Sequence, residues 1–389
     1  MRGDREQGTG YSRMSDNPFS VPCPLSSVPS VVLLTPSGRG AVATLVVQGA
    51  RAAEAVEQHF QPAARGKSLR DFPHRRIVFG RWAGEEIVVC RMADEQFELH
   101  CHGGRIAAQR IQQDLVEAGC QAMEWPQWLL ASATEEGLIE AEARIALAHA
   151  RTERVAAVLL DQFQGALRRE LSEIERLAAS DPAQALERLR TLQARAAVGL
   201  HLTAPWRIVL AGRPNVGKSS LMNGLLGYAR AIVFDEPGTT RDVLTATTAL
   251  DGWPVERADT AGRHSTRDTL EGAGVERARQ QMASADVLVL VFDLTQRWTA
   301  EDVSLIEEWS AAILVFNKCD LPEAPSPNRP PGLRTSATTR EGVEELVRRL
   351  AQRLVPQPPP PSCAVPFTVR QVEALHEMAR RIAPSGAPG

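Results

Sequence analysis

The stretch Gly212-Arg-Pro-Asn-Val-Gly217-Lys218-Ser219-Ser220 decides the fold of the second half of this 389-residue chain. It matches the pattern GxxxxGK[ST]. It lies between the apolar run Arg207–Ala211 and a helical pattern over Ser220–Leu226, which is the context that the pattern requires. Glycines let successive backbone N–H groups turn toward a phosphate chain, and the N-terminus of the following helix adds partial positive charge. The stretch therefore predicts a phosphate-binding loop inside an α/β domain.

Two side chains of this loop carry the expected chemistry. Lys218 is predicted to place a positive charge beside the β- and γ-phosphates, and we count it as a catalytic group. The hydroxyl of Ser219 is predicted to ligate Mg²⁺. The other nucleotide contacts predicted in this loop come from Asn215, Val216, Gly217 and Ser220.

A second motif indicates which base is bound. Asn317-Lys318-Cys319-Asp320 follows the apolar run Ala311–Phe316 and matches NKxD of the GTPases. A carboxylate accepts from both N1–H and the exocyclic amine of guanine, a donor pair that adenine lacks, so Asp320 is predicted to select GTP over ATP. By resemblance to GTPases, Asn317 supports the base and its loop, and the stem of Lys318 lies over the ring.

Three further segments complete the pattern of a GTP site. Asp259-Thr260-Ala261-Gly262 matches DxxG, in which the aspartate orients Mg²⁺ through water and the glycine amide senses the γ-phosphate. Gly238-Thr239-Thr240-Arg241-Asp242 offers a threonine to Mg²⁺; a polar turn of this kind is also typical of ordinary loops, and its position favours a switch. Thr335-Ser336-Ala337 fits the last base-contacting loop, through Ser336 and Ala337. The order of these motifs predicts GTP binding.

Composition excludes several other classes of protein. The formal net charge is −3 and the sequence pI is near 6.3, whereas a protein that holds nucleic acid by bulk electrostatics is strongly basic. No run approaches the roughly 18 apolar residues of a membrane span. The six cysteines form no CxxC pair, so neither a disulfide framework nor a zinc ribbon is indicated. We therefore expect a soluble, cytoplasmic protein without membrane contact.

Changes in composition and hydrophobic pattern along the chain predict several domains. Strand-like runs at Val31–Leu34 and Ala41–Val47 open a small α+β region, and Thr134 to Leu202 reads as amphipathic helices broken at Ser180-Asp181-Pro182. A last amphipathic helix, Thr368–Ile382, is too short to fold alone and is expected to pack on the earlier helical segment. The predicted fold class is multidomain, α+β and α/β. It comprises a disordered tail (1–29), a small α+β N-terminal domain (30–132), an α-helical domain (133–204), an inserted P-loop GTPase domain with a mainly parallel sheet (205–356), and a proline-rich linker with the second part of the helical domain (357–389).

Two N-terminal segments indicate a family. Thr35-Pro-Ser-Gly-Arg-Gly-Ala41 is similar to the signature TPPGRGAI, and Glu98-Leu-His-Cys-His-Gly-Gly104 is similar to VEIHCHGG. The GTPase block also stands late in the chain, inside a helical region that resumes after it. Over roughly residues 30 to 382 the chain resembles the MnmE (TrmE) family of tRNA-modification GTPases.

The resemblance implies a hydrolysis mechanism without an arginine finger. In that family a K⁺ ion replaces the finger, which here implies Asn215 and Thr239 as K⁺ ligands and Thr240 as a Mg²⁺ ligand. Arg263 follows the DxxG motif where Ras-type enzymes carry glutamine, and it cannot act as a base. Glu271 falls on the position of the family's catalytic glutamate; the alternative is a solvated glutamate at a helix start, stabilised by the helix dipole.

The resemblance also implies partners and a one-carbon donor. Family members form homodimers through the N-terminal domain, bring their G domains together on GTP, and work with an FAD-binding partner on the wobble uridine of tRNA. Their N-terminal domain binds a formyl-tetrahydrofolate, and Glu98 fits the acidic contact. Val46 and Gly137 stand where the family carries a folate-contacting arginine and a lysine. The family's C-terminal CxGK motif does not occur before Gly389.

Two functions follow from these observations. The first is a K⁺-stimulated, Mg²⁺-dependent GTPase for carboxymethylaminomethyl-type modification of tRNA; the retained N-terminal signatures favour it. The second is a GTP-dependent assembly switch of the same architecture that has lost the modification chemistry; the missing CxGK motif favours it. A ribosome-assembly GTPase is disfavoured because the sequence lacks a KH-like GxxG module with basic flanks.

A cluster of histidines and a cysteine is not predicted to bind a metal. His100, Cys101 and His102 resemble metal ligands, but alternate residues of a strand point to opposite faces of the sheet. Cys101 is therefore expected to diverge from both histidines.

Overall fold

The computed structural model describes residues 28–36, 40–63, 68–228, 247–258, 276 and 279–383. The chain divides into two compact units, Met1–Glu142 and Ala143–Gly389. No helix in the described ranges is long and apolar enough to cross a membrane.

The first unit is built on a sheet whose seven described strands run in the order β3-β4-β5-β6-β2-β1-β7. All neighbours pair antiparallel except β1 and β7, which are parallel. The strands are β1 (Ser30–Leu33), β2 (Val42–Gln48), β3 (Phe60–Pro62), β4 (Ile77–Trp82), β5 (Glu85–Ala93), β6 (Gln96–His102) and β7 (Gln121–Ala122). The helices are α1 (Ala52–Glu57), a 3-10 turn (Leu69–Asp71), α2 (Arg105–Glu117), α3 (Trp125–Ser132) and α4 (Leu138–Ala148), in which the division between the units falls.

One face of this sheet carries the core of the unit. Phe97, Leu99 and Cys101 of β6 are buried in one cluster with Ile111 and Leu115 of α2. His102 is exposed and His100 is half-buried, because the side chains of a strand alternate between its faces. Cys101 thus diverges from the two histidines, and among the described residues no three metal-ligating side chains form a cluster.

The second unit combines helices with a second sheet. Its described strands are β8 (Trp206–Ala211), β9 (Thr247–Leu250), β10 (Trp253–Ala258), β11 (Val287–Asp293), β12 (Ile313–Asn317) and β13 (Leu333–Thr335). Its described helices include α5 (Glu153–Phe163), α6 (Ala166–Ser180), α7 (Pro182–Leu200), α8 (Lys218–Tyr228), α9 (Ala300–Glu308), α10 (Val343–Leu354) and α11 (Val369–Ile382).

The helical part of this unit includes α11, the last helix among the described residues. Asp181 separates α6 from α7, and its carboxylate accepts from the N–H of Gln184 at 3.1 Å, as the sequence predicted for this break. Helix α11 packs on α7, which confirms the packing expected from its amphipathic pattern. The backbones touch at Gly199, where a Cβ would lie 1.7 Å from the Pro366 carbonyl oxygen. Only glycine fits at this crossing.

A buried amide joins the same helical part to the segment that precedes α11. Gln162 of α5 is fully buried. Its Nε2 donates to the Cys363 carbonyl at 3.0 Å, and its Oε1 accepts from the N–H of Val365 at 3.1 Å. Both polar ends of the side chain are therefore satisfied by backbone that lies 201 and 203 residues further along the sequence.

The sheet of the second unit places several loops at one edge. Its order is β13-β12-β11-β8-β10-β9, and every pair is parallel except β9 with β10. Strands β8, β11 and β12 are nearly continuous apolar runs, as expected for strands with both faces covered. Because the carboxyl ends of parallel strands meet at the same edge, residues after Ala211, Asp293, Asn317 and Thr335 come together there.

Candidate guanine-nucleotide site

The phosphate-binding loop has the backbone that its glycines allow. Gly212, Asn215 and Gly217 have φ values of 144°, 63° and 95°. A Cβ on Gly217 would lie 2.2 Å from Nδ2 of Asn317, and one on Gly212 would lie 2.2 Å from the carbonyl oxygen of Val291. Both glycines are therefore required by close packing as well as by their positive φ.

The lysine of the motif lies over this loop. Lys218 is the first residue of α8, and its Nζ donates to the carbonyl oxygens of Gly212 and Arg213 at 2.9 and 2.7 Å. Asn215, Ser219 and Ser220 are exposed, and Val216 is buried beneath the loop. The geometry thus leaves an ammonium, a hydroxyl and an amide side chain accessible at the N-terminus of one helix, where an anion is favoured.

Asn317 joins the phosphate loop to the other loops of the edge. Its side chain is buried; Nδ2 donates to the Val216 carbonyl at 2.8 Å. Its Oδ1 accepts from the N–H of Ala337 at 3.2 Å and from the Thr335 hydroxyl at 3.3 Å. One amide therefore fixes three separate loops relative to one another, and the residues predicted from three different motifs are brought together.

The loop after β12 presents the residues predicted to meet the base. Asp320 is exposed, and the loop is held by the N–H of Cys319, which donates to the Thr335 carbonyl at 3.0 Å. Ser336 is buried, and its hydroxyl accepts from the N–H groups of Thr338 and Thr339. Burial raises the pKa of the Cys319 thiol, and nearby Glu341 adds to the effect, so this cysteine stays protonated and is suited to packing.

An arginine whose role no motif predicts anchors the phosphate loop. Nη2 of Arg213 donates to the Thr299 hydroxyl at 2.6 Å and to Glu301 at 2.7 Å, and Nε lies 3.3 Å from the carboxylate of buried Asp302. Asp302 also accepts from the N–H and hydroxyl of Thr299 at the start of α9. The pattern Thr-x-x-Asp at 299–302 was a visible helix-start signal, but nothing local linked it to Arg213.

Several predicted site residues lie outside the described residues. These are Gly238, Thr239, Thr240, Asp259, Thr260, Ala261, Gly262, Arg263 and Glu271.

In the first unit, the candidate folate residue Glu98 lies on the face of β6 opposite the core. Its carboxylate is 3.5 Å from Nε2 of His100, whose Nδ1 lies 3.1 Å from the Thr44 hydroxyl. Directly across on β2 stands Val46, which is 1% exposed. Gly137 lies just before α4, with its N–H donating to the Thr134 hydroxyl at 3.2 Å. The side chain that faces Glu98 from β2 is thus apolar.

Comparison with known proteins assigns the chain to a family. The family model described as "50S ribosome-binding GTPase" matches residues 207–318. The tRNA modification GTPase MnmE of Synechococcus sp. (strain WH7803) is 32% identical over 376 residues, which cover 84% of this chain and 81% of that protein. The MnmE of Geobacillus kaustophilus (strain HTA426) is 32% identical over 370 residues, which cover 82% and 80%. Among solved structures, the G domain of the T. maritima FeoB iron transporter is 25% identical and covers 38% of this chain and 98% of that chain, with a TM-score of 0.27. Because it is 32% identical to these MnmE proteins over 81% and 80% of their length, the chain belongs to the MnmE family of tRNA modification GTPases and is a GTP hydrolase.

Proposed function

We propose that this GTPase is Mg²⁺-dependent and K⁺-stimulated and that it serves the modification of the wobble uridine of tRNA. The observation that carries the proposal is Asn317, whose single amide ties the phosphate loop to the two loops predicted to hold the base. Relatives that match most of the chain are named tRNA modification GTPases. We extend that substrate class, tRNA, to this chain.

Within the site we assign the following roles. Lys218 and the loop backbone hold the phosphates, Ser219 and Thr240 ligate Mg²⁺, and Asn215 with Thr239 holds K⁺. The exposed hydroxyl of Ser219 and the exposed amide of Asn215 are oxygen donors, which suit these hard cations. When bound, the two cations would add their positive charge to that of Lys218 beside the phosphates.

Potassium is expected to accelerate hydrolysis by roughly tenfold or more over sodium, because a cation beside the leaving phosphate offsets charge that develops in the transition state. The measurement is the steady-state GTPase rate in KCl and NaCl of equal ionic strength. Asn215→Gly, which keeps the positive φ of 63° but removes the donor, should abolish the difference.

Asn223→Ala, which changes an exposed asparagine within α8, is the matched control and should keep the potassium response. Equal rates of the unmodified protein in the two salts would contradict the potassium site. A response that survives Asn215→Gly would remove Asn215 from it.

We further propose the division of labour among the parts of the chain. Residues 30–132 would form a dimerising domain with a folate site at Glu98. Residues 133–204 and 357–389 would form the helical domain, and 205–356 the G domain, which pairs with its counterpart on GTP. A formyl-tetrahydrofolate and an FAD-binding partner would complete the reaction. The compact first unit extends to Glu142, ten residues beyond the proposed dimerising domain.

A second function is favoured by one observation. Val46 is buried and apolar where the family carries a folate-contacting arginine, so an anionic tail at Glu98 would meet no cation on β2. A chain without folate binding would act as a GTP-dependent assembly switch.

Mass spectrometry of wobble uridines in tRNA decides between the two functions. We expect a deletion strain to lose a carboxymethylaminomethyl-type modification and to regain it when the unmodified gene is supplied. A control strain carrying the Asp320→Asn variant, disabled in GTP binding, should not regain it. Unchanged wobble uridines in the deletion strain would overturn the tRNA function and favour the assembly switch.

A further inference from the structure

The carboxyl end of β11 carries a buried acid that no motif identified. The side chain of Asp293 is 2% exposed. One carboxylate oxygen accepts from the N–H and the hydroxyl of Thr295, at 2.9 and 2.7 Å. The other lies 2.6 Å from Nζ of Lys318, the lysine of the NKxD motif. The sheet register explains the meeting, because Asp293 on β11 pairs with Asn317 on β12, and Lys318 is the next residue.

The charge state of this acid suits an ion pair. Burial by itself would raise the pKa of Asp293, but the hydrogen bonds from Lys318 and Thr295 outweigh burial and hold the pKa below its ordinary value. The carboxylate is therefore ionised at neutral pH. A buried charge with three donors is satisfied, whereas removal of the lysine would leave it partly uncompensated.

Lysine is rare in this protein, which makes its position here informative. Of the 44 basic residues only Lys67, Lys218 and Lys318 are lysines, and two of these stand in the nucleotide motifs. Arginine cannot replace a lysine whose slender stem must cover a flat ring while its compact ammonium reaches a single carboxylate. At Lys318, the residue after the end of β12, the backbone is left-handed, with φ of 67°.

We propose that Asp293 is a positioning residue for the guanine base, acting through Lys318. By holding Nζ at the end of β11, it fixes the lysine stem as a ready-made wall of the base pocket. A free lysine would lose rotamer entropy when it is immobilised by the nucleotide. Because the ion pair already immobilises Lys318 in the folded protein, that loss does not oppose nucleotide binding. This inference rests on the proposed contact of Lys318 with the base.

The position of Asp293 predicts how a substitution acts on catalysis. Contacts to the base are the same in the ground state and in the transition state, so weakening them raises KM and leaves kcat unchanged. The stem of Lys318 meets the ring face, which guanine and hypoxanthine share, whereas Asp320 reads the edge on which they differ. Asp293→Asn should therefore weaken GTP and ITP binding by the same factor, with the GTP-to-ITP ratio unchanged.

The decisive experiment is a double-mutant cycle on the full chain. Affinities for GDP, GTP and ITP, together with kcat and KM for GTP, are measured for Asp293→Asn, Lys318→Met and the double variant. We expect Asp293→Asn to raise KM roughly tenfold and Lys318→Met to do at least as much. In the Lys318→Met background, Asp293→Asn should change affinity less than about twofold, because the two residues act as one unit.

The matched control is Asp286→Asn. The carboxylate of Asp286 also accepts a hydrogen bond, from the backbone N–H of Arg207 at 2.7 Å, but Asp286 immediately precedes the opposite end of β11. The Asp286→Asn variant should leave the KM for GTP unchanged. A fall in kcat at unchanged KM for Asp293→Asn, or a full loss in the Lys318→Met background, would overturn the inference in favour of a purely structural acid.

A second measurement uses the unmodified protein and does not depend on a folded variant. With three lysines in the chain, the acetylation rate of Lys318 can be followed by mass spectrometry without ambiguity. An ammonium held by Asp293 should react at least about tenfold more slowly in the native protein than in urea; equal rates would overturn the inference. Failure of the proposed base contact itself would give a different pair of results. Lys318 would still be protected from acetylation, but the Lys318→Met variant would bind GTP with normal affinity.

Discussion

Replacing Asp320 by asparagine is expected to move the base preference of this GTPase from guanine to xanthine. The exposed carboxylate follows β12 on a loop fixed by the Cys319–Thr335 backbone hydrogen bond. The NH₂ group of an asparagine would face the exocyclic amine of guanine, so that two hydrogen-bond donors would meet. Xanthine carries a carbonyl in place of that amine and can accept from the asparagine. A site that pairs a carboxylate with two base donors discriminates strongly between bases. We therefore expect a loss of GTP affinity of roughly 10³-fold or more, with a matching gain in affinity for XTP.

Fluorescent GDP and XDP titrations measure this exchange. Glu307→Gln, which neutralises an exposed acid on α9, is the control and should leave both affinities as they are. Equal affinity of the unmodified protein for ATP and GTP would end the assignment of Asp320. Loss of GTP binding without a gain for XTP would indicate a collapsed loop instead of a changed base preference.

Replacing Glu271 by alanine is expected to slow GTP hydrolysis about 100-fold or more while GTP affinity stays nearly unchanged. Arg263, after the DxxG motif, cannot orient a water molecule as a base, so another group has to hold the nucleophile. Phosphoryl transfer depends mainly on positioning and electrostatics, and a positioned acid or base contributes on the order of 10²–10⁴ in rate. The ground-state phosphate contacts are proposed to lie elsewhere, in the loop around Lys218.

Single-turnover hydrolysis and nucleotide titration separate the two quantities. Glu276→Ala is the matched control, since Glu276 is an exposed glutamate five residues later, and it should hydrolyse normally. Normal hydrolysis by Glu271→Ala would show a solvated helix-start glutamate. Lost nucleotide binding would show that the residue supports the neighbouring loop. Either result would contradict a catalytic role.

The parts of the site that were predictable are those whose cause is local. Gly212 and Gly217 are demanded by the backbone of one loop, and Asp181 followed by Pro182 marks a helix break without any tertiary information. The apolar runs of β8, β11 and β12 indicated buried parallel strands for the same reason. The start of β11 at Val287 depends on a tertiary contact, because the preceding Asp286 accepts from the backbone N–H of Arg207 through its carboxylate.

The residues that escaped prediction act over long sequence separations. Arg213 meets the start of α9 88 residues later, and Asp293 meets Lys318 25 residues later. Both meetings depend on the order of strands, with β11 between β8 and β12. Sequence motifs name the groups that touch the nucleotide; the side chains that hold those groups in place are known only once the sheet is assembled.

The Gly199–Pro366 crossing sets an order of events during synthesis. The end of α7 leaves the ribosome about 170 residues before the start of α11, which at roughly 5–20 residues per second is a delay of about 10 to 30 seconds. Throughout that interval the amide of Gln162 and the apolar face of α7 lack the segment that covers them. The whole GTPase block emerges in the same interval. The helical part can therefore close only after the whole GTPase block has been synthesised.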